Sequence, residues 1–100
     1  MNDKRRSLMS QRAVIHVSSE MVAKVLGELV QDERLRRGLS QDAMALMAKM
    51  DRSSYAKMER GERSTSLTQL IRICNVLECS CASIVKMVEL NLPNFSASNC

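Results

Sequence analysis

Apolar residues in this chain recur mainly at steps of three and four positions, which is the period of an amphipathic helix. The clearest stripe follows Ser18 and Ser19, either of which could cap a helix. Gly38 is placed to end that helix in a left-handed conformation. The pattern predicts a first helix from about residue 19 to residue 37. Its apolar positions are Val22, Val25, Leu26, Leu29 and Val30.

Four shorter amphipathic segments follow the first. Ser40 and Asp51 are N-cap candidates for the second and third helices, and Ser66 for the fourth. A fifth helix is predicted over about residues 81–90, and Pro93 prevents its continuation. If the second and third helices cross steeply, the residues that must be buried between them are Met44, Ala45, Ala48, Met50, Tyr55 and Met58.

We therefore predict an all-α fold of five helices in one domain over residues 19–90. Residues 1–18 are expected to form a flexible or extended arm, and residues 91–100 a C-terminal tail. The β-branched stretch Arg12–Val17 leaves two alternatives open, because a lone strand has no partner within the chain. It is either a strand completed by another subunit or simply an arm.

The second and third helices are short, joined by a tight turn, and carry cations on their outward face. Such a unit can place one rigid helix in the major groove of DNA. The net charge of +4 and the pI near 9.1 permit a polyanionic partner without establishing one. Tyr55 and Phe95 are the only aromatic residues, which excludes a stacking surface for single-stranded nucleic acid.

Other functional classes find little support in the sequence. No acid and base are paired at a plausible spacing, no glycine-rich phosphate loop is present, and His16 is the only histidine, so we expect no catalytic site. No secretory signal and no apolar run long enough to span a membrane is found. We therefore expect a cytoplasmic, reduced protein that contacts no membrane.

The cysteines allow two interpretations. Cys74, Cys79, Cys81 and Cys100 contain no Cys-x-x-Cys pair, so neither a metal site nor a cofactor is expected. Low-pKa thiols near a dimer contact would make a redox sensor. The simpler interpretation, which we adopt, is that Cys74, Cys79 and Cys81 fill the core and Cys100 is incidental.

One set of motif residues runs without an insertion from about Leu26 to Val85, more than half of the chain. It comprises Leu26-Gly-Glu, Arg34, Gly38-Leu-Ser-Gln41, Met44-Ala45, Arg52-Ser53, Lys57-Met-Glu-Arg-Gly61, Leu67, Leu70, Ile73 and Leu77. In these residues the chain resembles the Cro/repressor-like helix-turn-helix family of bacterial and phage regulators, the XRE family. The resemblance implies a lambda-repressor-like domain and a sequence-specific regulator that binds double-stranded DNA.

Three positions depart from the family pattern. Lys49 stands where the family usually has glycine, Glu78 where it often has glycine, and Thr65 where it often has proline. A residue other than glycine in a left-handed turn costs roughly 1 kcal/mol, which a well-packed domain tolerates. These departures affect the local turns and leave the expected fold unchanged.

The resemblance also implies roles for individual residues. Base edges would be contacted by the groove-facing residues of the third helix, namely Arg52, Ser53, Ala56 and Lys57. Phosphates would be contacted by Gln41, Lys49, Arg60 and Arg63. Arg34 and Glu59 would form a partly buried ion pair that locks the first helix to the end of the third.

We expect a repressor or autoregulator that acts as a homodimer on a palindromic operator. The fifth helix and the residues after it carry more apolar side chains than we expect one small core to bury. These residues are therefore the predicted dimer interface: Ile84, Met87, Val88, Leu90 and Leu92. The alternative is an antitoxin-like or adaptor module of the same fold, with a protein partner bound through the termini.

Overall fold

The computed structural model describes residues 17–93 and forms five helices within that range. They are α1 (Ser19–Arg36), α2 (Gln41–Met47), α3 (Arg52–Glu59), α4 (Leu67–Val76) and α5 (Cys81–Leu90). The all-α prediction is confirmed. Most of the predicted arm and of the predicted tail lies outside the described residues, as does most of the candidate strand at residues 12–17.

Each helix begins at a side chain that accepts a hydrogen bond from its first turn. Ser40 Oγ accepts from the Ala43 N–H at 3.0 Å, and an Asp51 carboxylate oxygen accepts from the Ser54 N–H at 3.2 Å. Ser66 forms a full capping box, in which Gln69 bonds back to the cap residue. These bonds satisfy backbone donors that have no partner inside the helix, and they fix where each helix starts.

Two turns use a left-handed residue other than glycine. Lys49, between α2 and α3, has φ of 57°, and Glu78, between α4 and α5, has φ of 54°. In both turns a backbone bond closes the loop: the Met50 N–H donates to the Ala45 carbonyl at 2.8 Å, and the Cys79 N–H to that of Cys74 at 3.0 Å. The turns therefore keep the geometry that glycine would favour, at a local cost of about 1 kcal/mol each.

The core is shared by all five helices: α1 packs against α3 and α5, α2 against α3 and α4, and α4 against α5. Met44, Ala45, Ala48, Tyr55 and Met58 are buried as predicted, whereas Met50 is only half-buried. α1 approaches the end of α3 closely at Gly27. A Cβ added there would lie 2.7 Å from the Met58 carbonyl oxygen and closer still to that of Glu59, so only glycine fits.

The predicted dimer interface requires a correction. Ile84, Val88 and Leu92 are each only 6–7% exposed and belong to the core of the single chain. They are buried because α5 packs against α1 and α4, so the core is larger than the sequence suggested. Met87 and Leu90 remain 44% and 52% exposed. Across residues 17–93, no helix is long and apolar enough to cross a membrane.

Candidate nucleic-acid interface

The α2–α3 unit presents one side of α3 to solvent. Tyr55, Met58 and Glu59 form its buried side. Arg52, Ser53 and Lys57 are exposed, and Ala56 is half-buried beside them. The four residues predicted to contact bases thus lie along one accessible strip of a single short helix.

The residues predicted to contact phosphates lie around this strip, and they differ in whether they have a partner within the chain. Lys49 is exposed in the turn before α3. Arg60 and Arg63 are exposed after it, and each has a partner within the chain. The Arg60 guanidinium donates to both carboxylate oxygens of Glu62 at 2.8 and 3.1 Å, and Arg63 donates to Ser54 Oγ at 3.1 Å. Exposed contacts of this kind are weak, so they leave both arginines able to turn toward a phosphate.

Behind the strip, a buried ion pair joins α1 to the end of α3. Arg34 Nε donates to Glu59 Oε2 at 2.5 Å and Nη2 donates to Oε1 at 3.1 Å, so the guanidinium binds the carboxylate at two points. Arg34 and Glu59 are only 6% and 4% exposed, which makes the pair more buried than predicted. Arg34 Nη1 also donates to the Leu39 carbonyl at 2.7 Å, which holds the turn between α1 and α2.

Glu59 accepts two further hydrogen bonds, from the Tyr55 hydroxyl and from Gln41 Nε2, the latter at 3.0 Å. Burial alone would raise the pKa of the Glu59 carboxyl, but the hydrogen bonds from Arg34, Tyr55 and Gln41 outweigh it and hold that pKa below its usual value. The hydrogen bond to Glu59 raises the pKa of the Arg34 guanidinium. Burial, reinforced by the bond to Glu59, raises the pKa of the Tyr55 hydroxyl.

Two of the predicted DNA contacts are linked by a hydrogen bond that the sequence analysis missed. Gln41 Oε1 accepts from Arg52 Nη2 at 3.1 Å, and Arg52 Nη1 lies 3.1 Å from Asp42 Oδ1. Arg52 therefore points outward, 56% exposed, but it is paired with an acid of its own chain. Ten positions separate Asp42 from Arg52, and no sequence pattern indicates a contact between exposed side chains on two different helices.

The cysteines of the described region lie at the α4–α5 junction. Cys74 is buried, and Cys79 and Cys81 are half-buried. Burial, together with the neighbouring Cys79 and Cys81 thiols, raises the pKa of Cys74 to about 12, which disfavours the reactive thiolate. Within residues 17–93 no cluster of three or more His, Cys, Asp or Glu side chains could hold a metal ion.

Comparison with known proteins places this geometry in context. The family model described as helix-turn-helix matches residues 30–84, which spans α2, α3 and α4. Among solved structures, the clp gene regulator ClgR from Corynebacterium glutamicum superposes with a TM-score of 0.67 at 20% identity, over 71% of this chain and 76% of that one. The restriction-modification controller protein C.AhdI from Aeromonas hydrophila gives 0.60 at 27% identity, over 62% of this chain and 94% of that one. No curated protein sequence matches the chain.

Proposed function

Because this chain belongs to the helix-turn-helix family of Cro/repressor-like (XRE) regulators, and is thus a DNA-binding transcriptional regulator, we propose that it binds a palindromic operator as a homodimer. We also propose that it acts as a repressor or autoregulator. The domain would repress by occupying an operator and so excluding other proteins from the same DNA. The similarity to a restriction-modification controller protein supports a regulatory role.

The observation that carries the proposal is the exposed strip of α3. Arg52 and Lys57 supply donors that match the O6 and N7 acceptors of guanine in the major groove. Ser53 can bond to a base or a phosphate, and the half-buried Ala56 is small enough to meet a thymine methyl group. We propose these four residues as the base-contacting set.

Phosphate contacts would set the position of α3 in the groove. Lys49, Arg60 and Arg63 flank the helix and are exposed. Gln41 uses one amide N–H for Glu59, which leaves its second N–H for a phosphate. Contacts to phosphate give affinity and register without sequence information, so these residues would affect all duplexes alike.

Met87 and Leu90 are the proposed dimer contacts. They lie one turn apart on α5 and stay exposed after the core is complete. Single exposed apolar residues are ordinary on a protein surface, whereas neighbouring ones on one helix are candidates for a protein–protein contact. A symmetric dimer through α5 would present two copies of α3 to half-sites about one helical turn, on the order of 34 Å, apart.

The test is selection of bound duplexes from a random pool, followed by affinity measurements on the recovered operator. We expect a palindrome, and a Kd that rises steeply with salt because each neutralised phosphate releases counterions. The variant Arg52→Ala/Lys57→Ala should lose the preference for the operator over a scrambled duplex. Lys24→Ala, which removes one exposed cation from α1, is the charge control for each single variant, Arg52→Ala and Lys57→Ala, and should keep that preference.

Three outcomes would contradict the proposal. Failure to enrich any duplex, or binding that does not respond to salt, would favour a protein-interaction module of the same fold. A light-scattering mass of one chain at micromolar concentration would rule out the homodimer.

A further inference from the structure

The guanidinium of Arg52 is held by the first two residues of α2. Its Nη2 donates to Gln41 Oε1 and its Nη1 pairs with Asp42 Oδ1, both at 3.1 Å. Arg52 is the first residue of α3, so the two contacts connect the start of the proposed recognition helix to the start of α2. Arg52 differs from Arg60 and Arg63 because it contacts two side chains of α2, and one of them, Gln41, is itself bonded to the buried Glu59.

The buried carboxylate of Glu59 determines which end of the Gln41 amide faces Arg52. An ionised carboxylate can only accept hydrogen bonds, so the Gln41 amide nitrogen must point toward Glu59. The carbonyl oxygen of Gln41 is then turned outward, where it accepts from Arg52. The position of Arg52 thus depends on a chain of contacts that begins in the core.

Asp42 acts on the Arg52 guanidinium through its negative charge. Its carboxylate is 78% exposed and opposes the positive charge of Arg52 at the surface where phosphates would approach. Phosphate binding relies on net charge, whereas a hydrogen bond to a guanine edge relies on the direction of the donors. One of the five guanidinium N–H groups is hydrogen-bonded, to Gln41, and Asp42 acts on the group by charge at 3.1 Å, so N–H groups remain for a base.

We propose that Asp42 is a positioning residue that sets sequence specificity: together with Gln41 it favours one direction of the Arg52 guanidinium, and it offsets the charge of that group. Arg52 then contributes to binding chiefly where a base edge accepts its hydrogen bonds. Asp42 thereby lowers the affinity for arbitrary duplexes more than the affinity for the operator. This inference rests on the proposed function, because it concerns how the same surface distinguishes one duplex from another.

The test compares Kd for the recovered operator and for its scrambled version, by fluorescence anisotropy over a range of salt concentrations. Asp42→Asn should tighten binding to the scrambled duplex by about threefold to tenfold and change operator binding less. The specificity ratio therefore falls. On the scrambled duplex, the slope of log Kd against log salt should steepen by about 0.9, because Arg52 becomes free to neutralise one more phosphate.

Three further variants separate this effect from a general change of charge. Asp32→Asn removes an exposed carboxylate from α1 and should leave both the ratio and the slope unchanged. Asp42→Glu keeps a carboxylate beside Arg52 and should retain most of the specificity. In an Arg52→Ala background, Asp42→Asn should no longer change the specificity ratio, since Asp42 acts through Arg52.

The inference is overturned if the protein binds the operator and Asp42→Asn leaves the ratio of its Kd for the scrambled duplex to its Kd for the operator unchanged. It is also overturned if Asp42→Asn has the same effect with and without Arg52, because Asp42 would then act only by repelling phosphate. A protein that binds no duplex in any form would instead refute the proposed function itself. The two failures are therefore distinguishable in one set of measurements.

Discussion

Glu59→Ala is the substitution that most directly tests how α3 is held. The carboxylate of Glu59 is the common acceptor for Arg34, Tyr55 and Gln41. Removing it leaves the Arg34 guanidinium buried with one polar contact of those described, the Leu39 carbonyl at 2.7 Å. The Tyr55 hydroxyl loses its acceptor in the core at the same time.

The expected loss follows from the burial of the pair. Breaking a buried ion pair by removing one partner costs about 3 kcal/mol or more, because the remaining charge stays desolvated. For a domain of this size each kcal/mol corresponds to roughly 4–8 °C, so the midpoint of thermal unfolding should fall by about 12–24 °C. An exposed ion pair would produce no such shift, because water replaces the lost partner.

The assay is thermal and urea unfolding of both proteins, followed by helical circular dichroism. Glu62→Ala is the matched control, since Glu62 is paired with Arg60 at the surface, and its midpoint should not change measurably. A loss of less than about 0.5 kcal/mol for Glu59→Ala would refute the reasoning, because the charge left behind by a pair this buried is not restored to water.

Three further predictions follow from the structure. The pKa of Glu59 is lower in the folded protein than in the unfolded chain, where it is about 4.3, so this carboxylate adds stability above pH 4.3 that is lost as pH falls through the folded-state pKa. The unfolding midpoint of Glu59→Gln should therefore depend less on pH below 4.3 than that of the parent protein. Gly27→Ala should destabilise the fold by about 1–3 kcal/mol in urea unfolding, because its Cβ would overlap the Met58 and Glu59 carbonyls, and an unchanged midpoint would contradict that contact. Met87→Ser/Leu90→Ser should halve the light-scattering mass without lowering helical content, and a mass that stays at two chains would place the interface elsewhere.

The sequence predicted the helices well because their ends are encoded locally. Ser40, Asp51 and Ser66 each cap the helix that follows them, and Gly38 adopts the left-handed conformation that ends the turn after α1. These signals involve residues three or four positions apart, which a sequence displays directly. The left-handed Lys49 shows the limit, since only the resemblance to a family with glycine there indicated its conformation.

What the sequence could not predict is which surface covers each apolar face. The period of α5 gave the positions of Ile84 and Val88 without showing that α1 and α4 would bury them. Met87 and Leu90 stand at similar spacings yet remain exposed. The pairing of Arg52 with Asp42 is hidden for a related reason, because it depends on how two helices are angled relative to each other.

Stability and recognition are connected through Glu59. The carboxylate that fastens α1 to α3 also orients Gln41, and Gln41 in turn holds Arg52. In Glu59→Gln the new amide can donate as well as accept, so Gln41 is no longer forced to turn its oxygen outward. A loss of operator preference in that variant, measured where the protein is still fully folded, would therefore reflect how α3 and Arg52 are presented to DNA and not unfolding.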